Sequence, residues 1–280
     1  MRDSVPDEKL LAKLTAEYDA QALTGIFLAG SGARGELSEY SDIDVVLVHK
    51  EEIPADLTDY RLLYREQRLI SIHRCPFKSL LDSFNSPLSV IKVVQGLRDA
   101  KILLDHDGLL AKLQKNAVEF TWSDQLKGQA LRAASSELVG NIEELHKLLK
   151  GLKTNEPYTL LNGVWGMGMA MPKVMALVHG VLSRGDNAFY KQVHDAVGID
   201  SKWTELHKIV IGAALGELKD IVPQQETEAV TTKQIPLFYQ AKAAMELFAE
   251  TAALCDEHLL PEDKLVVNKA LSIAHNSGVI

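Results

Sequence analysis

The sequence predicts two folds in tandem. The first is an α+β domain, a mixed sheet flanked by helices, over residues 1–120; the second is an all-α helical bundle over 121–280. Three observations carry this division. Up to about residue 105, short β-rich runs alternate with amphipathic segments. Beyond residue 120, apolar residues recur only at helical spacing. Between Gly30 and Val48, a Gly-Ser turn closes one apolar strand and two aspartates open the next.

Each element has its own warrant. Leu10, Leu11, Leu14 and Tyr18 lie at helical spacing and predict an amphipathic helix from Glu8 to Ala20. Apolar runs predict strands at 24–29 and 42–48, with a further pair at 61–64 and 68–73. Pro76 suits the first turn of a helix over 77–81. A last short strand at 101–105 runs through Asp107-Gly108 into a capped helix. Ser123-Asp124 starts a long helix from about 125 to 150, ended by Gly151-Leu152-Lys153. Glu156-Pro157 starts a Gly-rich apolar helix reaching Leu182, which Pro172 is expected to kink or break. Shorter helices are expected at 188–197 and 201–217, and longer ones at 228–256 and 261–276. Met167, Met169, Met171, Met175 and Trp165 are assigned to the helical core, with an aromatic wall for a bound molecule as the other reading of Trp165.

Composition narrows the function. A chain of 280 residues is long enough for two modest cores. The net charge of −8 argues against general nucleic-acid binding, which wants a basic face. Cys75 and Cys255, the only two cysteines, show no metal-type spacing, and a reduced, cytoplasmic setting is the simple reading. Residues 163–182 are about as long as a bilayer span, but Lys173 at the centre and the lack of basic flanks predict no membrane insertion. Met1-Arg2-Asp3-Ser4 passes directly into a polar helical segment, so no secretory leader is expected.

The chemistry concentrates in Gly30-Ser31-Gly32-Ala33-Arg34-Gly35 and Tyr40-Ser41-Asp42-Ile43-Asp44. Asp42 and Asp44 are two apart on a strand, so both carboxylates share one face while Ile43 and Val45 point to the core. Adjacent carboxylates repel, and a cation between them relieves the repulsion. Mg²⁺ fits, because it takes hard oxygens from one or two carboxylates plus substrate phosphates. Gly30 lets a phosphate approach the backbone, Ser31 adds a hydroxyl, and the N–H groups that follow face the anion. A phosphate cradle beside metal-binding aspartates reads as a nucleoside-triphosphate site.

Gly-Ser followed at this spacing by Asp-x-Asp and an apolar strand resembles the signature of the nucleotidyltransferase superfamily, the polymerase-β-like fold. The form Gly-Ser-x-Ala-Arg-Gly…Tyr-Ser-Asp-Ile-Asp is similar to the small bacterial members, including the aminoglycoside and other antibiotic nucleotidyltransferases. The run Ala100-Lys101-Ile102-Leu103-Leu104-Asp105 through Gly108-Leu109-Leu110 resembles the end of small domains of this kind. The helical half is similar in architecture to the C-terminal domain of the aminoglycoside enzymes, whose acceptor binds between the two domains. The resemblance implies attack on an α-phosphorus with loss of pyrophosphate, Asp42 and Asp44 as metal ligands, and Gly30 and Ser31 at the phosphates. Arg34 either reaches a phosphate or is a solvated helix arginine; Ser41 either orients Asp42 or is only a turn residue.

One departure stands out. The family carries a third acidic residue on a later strand, and here Ser71 falls in that slot. His73 lies on the same face and is the candidate to take the acceptor's proton, against the plainer reading of a packed strand histidine. Glu143, Glu144 and His146 either face the acceptor or form a solvated helix face. The expectation is Mg-dependent transfer of a nucleotide, AMP from ATP first, to a hydroxyl of a small-molecule acceptor, with an aminoglycoside-like antibiotic as the example. The alternatives are a catalytically degenerate nucleotide-binding or regulatory protein, and a protein-modifying adenylyltransferase.

Overall fold

A computed structural model of the chain describes residues 8–213 and 236–278, and its contacts divide these into two units. Unit 1 runs to Leu126 and also takes in Leu182–Phe189; unit 2 holds Lys127–Val181 and the chain from Tyr190 on.

In unit 1, α1 (Glu8–Tyr18) precedes β1 (Leu23–Leu28), the single turn α2 (Gly30–Ala33) and β2 (Ile43–His49). The hairpin β3 (Tyr60–Arg65) and β4 (Arg68–Pro76) follows, turning through Glu66 and Gln67, both in the left-handed region. Then come α3 (Phe77–Asp82), α4 (Pro87–Asp99), β5 (Lys101–Asp105) and α5 (Leu109–Glu119). The strands form one mixed sheet in the order β3-β4-β2-β1-β5, in which only β2 and β4 run parallel. Alternation sends Ile43, Val45, Leu47, Ile70 and Ile72 to one face, under Leu10, Leu11 and Leu14 of α1. Val46, Val48 and Cys75 go to the other, under Val90, Val94 and Leu97 of α4 and Leu110 and Leu113 of α5. The cap on α5 comes from Asp105, whose carboxylate accepts from the N–H groups of Leu110 and Ala111, rather than from Asp107.

The C-terminal region is mostly helical: α6 (Asp124–Gly140), α7 (Ile142–Thr154), α8 (Pro157–His179), α9 (Asp186–Val197), α10 (Lys202–Val210), α11 (Leu237–Cys255) and α12 (Pro261–Asn276). The expected helix over 125–150 is two helices. At the break the Asn141 amide donates to the Glu137 carbonyl at 2.7 Å, so a side chain competes with the helical ladder right after Gly140. The outer parts of two expected helices, 214–217 and 228–235, lie outside the described residues. So do residues 1–7, where the absence of a leader was expected.

Pro172 does not break α8, which runs through it to His179. A proline leaves the carbonyl four residues back, that of Gly168, without its usual donor. His207 of α10 supplies one: its Nε2 lies 2.9 Å from the Gly168 oxygen. Because that oxygen only accepts, Nε2 carries the proton and Nδ1 of His207 accepts from Nε2 of His194, 2.8 Å away. Trp203 stacks on His207 with ring centres 5.3 Å apart, and its indole N–H donates to Thr251. Burial pulls the His207 pKa down to about 4 and lowers that of His194 as well, which favours the neutral form of both rings.

The glycines of α8 explain why its apolar run needs no membrane. A side-chain carbon on Gly163 would overlap Leu148, and one on Gly166 would overlap Glu144, so α7 packs close against this face. No helix among the described residues is long and apolar enough to cross a membrane. Met167, Met171 and Met175 are buried as expected. Trp165 and Met169 are not: they are 71% and 64% exposed, on the helix face away from α7, and their assignment to the core is corrected.

Candidate active site on the sheet of unit 1

The site starts from one close approach. Gly30 has a φ of +59°, and a side-chain carbon there would fall on the Asp44 carboxylate. The Ala29 N–H donates to the Asp44 carbonyl at 2.8 Å, so the end of β1 and the start of β2 are locked together and α2 begins beside the carboxylate. Glycine is therefore required twice over, by backbone and by space. The first turn of any helix leaves N–H groups without partners in the helix, and those of α2 open beside Asp44.

Asp42 sits just before β2 and Asp44 within it, both partly exposed, with Ile43 and Val45 buried between and beyond. Burial first, and the Asp42 charge second, hold the Asp44 carboxyl above the ordinary carboxylate range. Nearby His73, a hydrogen bond from the Ser71 hydroxyl and Arg34 pull the other way. This is the pair that can hold a divalent cation.

The parallel register decides the neighbours. Asp44 pairs with Ser71 and Val46 with His73. Ser71 is thus directly across from Asp44, 1% exposed. His73 is one pleat further, about 7 Å along the strand, exposed, its ring tilted 48° over Tyr60 at 4.7 Å. The structure therefore brings Gly30, Ser31, Asp42, Asp44, Ser71 and His73 to one end and one face of the sheet.

Arg34 and Ser41 have local partners. Arg34 bonds Glu36 at 2.6 Å and the Arg184 carbonyl at 3.1 Å. The Ser41 hydroxyl accepts from the Ser38 N–H and meets the Ser38 hydroxyl, both at 2.9 Å, closing the turn before Asp42. In unit 2, Glu144 is paired with Lys147 at 2.6 Å.

Two charged residues near α2 escaped sequence reasoning. Glu36 also accepts from Arg184 at 3.2 Å, and its carboxyl is held below the usual range, chiefly by its bond with Arg34. Arg184 comes from far along the chain, in a segment pinned to α4 where the Ser183 N–H donates to the Ile91 carbonyl at 2.7 Å. The only local signal was the turn Ser183-Arg184-Gly185, which says nothing about where it docks.

Residues 8–95, from α1 into α4, match the family model of the nucleotidyltransferase domain. This part of the chain is a nucleotidyltransferase domain. A solved structure, a nucleotidyltransferase-like protein from Exiguobacterium sibiricum 255-15, is similar at 12% identity and a TM-score of 0.47, covering 90% of this chain and 77% of that one. No curated protein matches the chain. For residues 8–95 the match supports nucleotidyl transfer in general, with a nucleotide as one substrate.

Proposed function

We propose that the protein is a Mg²⁺-dependent nucleotidyltransferase that moves AMP from ATP to a hydroxyl of a small-molecule acceptor. The single observation that carries this is the junction of Gly30 with Asp44: the backbone turn that would cradle phosphates touches the carboxylate that would hold their metal. The donor set fits Mg²⁺. Among the described residues no group of three or more His, Cys, Asp or Glu forms a cage of its own. Asp42 and Asp44 offer two hard carboxylates and leave the remaining positions to phosphates and water, which is how Mg²⁺ binds. A cation would also offset the burial and, after it, the Asp42 charge that raise Asp44.

The bound ion would neutralise charge on the phosphate oxygens and the leaving pyrophosphate. The N–H groups of Ser31 and its neighbours, with the Ser31 hydroxyl, would hold the β- and γ-phosphates. Ser71 would hold Asp44 in place by its hydrogen bond. His73 would accept the proton of the attacking hydroxyl, a step worth about 10²–10⁴-fold. Arg34 would exchange its bond to Glu36 for a phosphate, and Ser41 would keep Asp42 in its turn.

A second reading has its own observation. Ser71 stands across from Asp44, in the slot where the resemblance implies a third acid, which favours a nucleotide-binding protein without turnover. Pyrophosphate release in the presence of labelled ATP, Mg²⁺ and a panel of hydroxyl compounds separates the two. Acceptor-dependent release supports the transferase; Mg-ATP binding without release under any acceptor supports the second reading.

A further inference from the structure

The strand β3 is amphipathic in the wrong sense. Arg61, Leu63 and Arg65 alternate toward α1, where Leu63 packs on the core and Arg65 pairs with Glu17 at 3.2 Å. Tyr60, Leu62 and Tyr64 occupy the opposite face and are 46%, 50% and 70% exposed. An edge strand ordinarily turns its charges to water and its apolar residues to the core. Here three apolar side chains in a row are left open, on the face that carries the aspartates.

The register shows how they continue the site. Leu62 pairs with Ser71, which pairs with Asp44. Tyr60 pairs with His73, and Tyr64 with Leu69, which lies beside the start of β2. The rows therefore run straight across three strands, from the carboxylates to the tyrosines. Two strand spacings separate them, about 10 Å, the length of a small molecule.

Chemistry says which substrate lies over them. In a displacement at phosphorus the attacking and leaving oxygens are in line. A leaving pyrophosphate held at Ser31, on the β1 side of Asp44, puts the attacking hydroxyl on the other side, above β4. The body of the acceptor then extends over β3. The charge on this surface is also telling. Glu66 is the only carboxylate in the hairpin, and it pairs with Lys13 of α1. Arg68 and Arg74 share the opposite face with Ile70 and Ile72, where Arg68 donates to the carbonyls of Ser38 and Glu39 and Arg74 to that of Thr58 and lies over the Tyr18 ring. Beyond the two aspartates, β3 and β4 put Tyr60, Leu62, Tyr64, Leu69, Ser71, His73 and Cys75 on this face, with no carboxylate to hold a polycation over β3.

We infer that Tyr60, Leu62 and Tyr64 form the acceptor platform of this enzyme, and that the acceptor is an uncharged hydroxyl compound carrying an aromatic ring. The inference rests on the transferase reading, and its test separates the two. Binding of phenyl β-D-glucopyranoside and methyl β-D-glucopyranoside is measured by calorimetry, with and without Mg²⁺ and the α,β-methylene analogue of ATP. The phenyl compound should bind about 2- to 10-fold more tightly than the methyl one, the range of an aromatic contact. Tyr60→Ala and Tyr64→Ala should each remove most of that preference, Tyr64→Phe should keep it, and all three should leave nucleotide-induced thermal stabilisation unchanged. Equal affinities for the two glucosides, a preference insensitive to the tyrosines, or tighter binding of a polycationic aminoglycoside would overturn the platform. Absence of any nucleotide-induced stabilisation, with tyrosine-dependent binding of the phenyl compound intact, would overturn the transferase reading and leave the platform standing.

Discussion

A polar constellation in each unit invites comparison, and the two are built on opposite principles. In unit 2, His194, His207 and the Gly168 carbonyl form a chain in which each donor has an acceptor, beside a buried Trp203-to-Thr251 bond. Its side chains are buried, and burial favours the neutral form of both imidazoles. In unit 1, Asp42 and Asp44 face each other's charge with Ser71 across from Asp44, at the open end of a sheet. A satisfied buried network stabilises a fold, whereas a pair of like charges at a surface is poised for a ligand. Histidine and aspartate thus do different work here because of what surrounds them.

The largest expected effect breaks the charged constellation. Asp44→Asn keeps the volume but deletes a metal-binding charge, and should reduce acceptor-dependent transfer by about 10³-fold or more. Mg-ATP at about a hundredfold above its Kd should stabilise the wild type by roughly 2.7 kcal/mol, and the variant far less. Thermal unfolding with and without Mg-ATP reads the second effect, and an unchanged shift would remove Asp44 from the site.

The neutral constellation should fail as structure. His207→Ala strips the Gly168 carbonyl and His194 of their partner and opens a cavity beneath Trp203, so it should destabilise by about 3–4 kcal/mol in urea unfolding. Phosphate-site function is then read as Mg-nucleotide binding below the unfolding temperature, and should persist.

Acid sharpens the same contrast. The folded-state pKa of His207 is about 4, below the ordinary value of 6.5. The unfolded chain therefore binds the extra proton first. Its contribution is complete above about pH 6.5 and is lost as the pH falls toward 4, by about 3 kcal/mol at most. Urea midpoints between pH 7 and 4 should fall more steeply for the wild type than for His207→Gln, in which this titration is gone. Parallel curves would show that His207 is not held neutral.

Gly30→Ala tests the junction of backbone and carboxylate. With φ at +59° and Asp44 in the way, alanine should destabilise by about 1–3 kcal/mol and displace the Asp44 side chain, weakening Mg-dependent nucleotide binding. The smallest effect belongs to α8. Trp165→Ala, at an exposed position, should change stability by no more than about 0.5 kcal/mol, whereas burial in the core would make it several times that.

The phosphate-and-aspartate stretch was legible because it is local. Gly30 through Asp44 spans one strand end, one turn and one strand start, and alternation alone places Asp42 and Asp44 on a shared face. The strands β1, β2 and β4 and the helices α1, α5 and α12 were legible for the same reason, since a period of 2 or 3.6 is written in neighbouring residues. What misled were residues whose role depends on a distant partner. Pro172 reads as a breaker until His207 covers the carbonyl it abandons. Trp165 and Met169 read as core because an apolar helix gives no sign of which sides its neighbours cover.

The sequence by itself determined the α+β domain, the helical region that follows, and the carboxylate pair beside the Gly-Ser turn, because each follows from residues adjacent in the chain. Only the tertiary structure decided that Ser71 stands across from Asp44, that the exposed side of β3 continues the same face, and that Arg184 joins Glu36 beside α2. Register between strands and the docking of a remote segment are set by the collective packing of a core. No local pattern encodes either, since a slip of one residue leaves every propensity unchanged while sending each side chain to the other face.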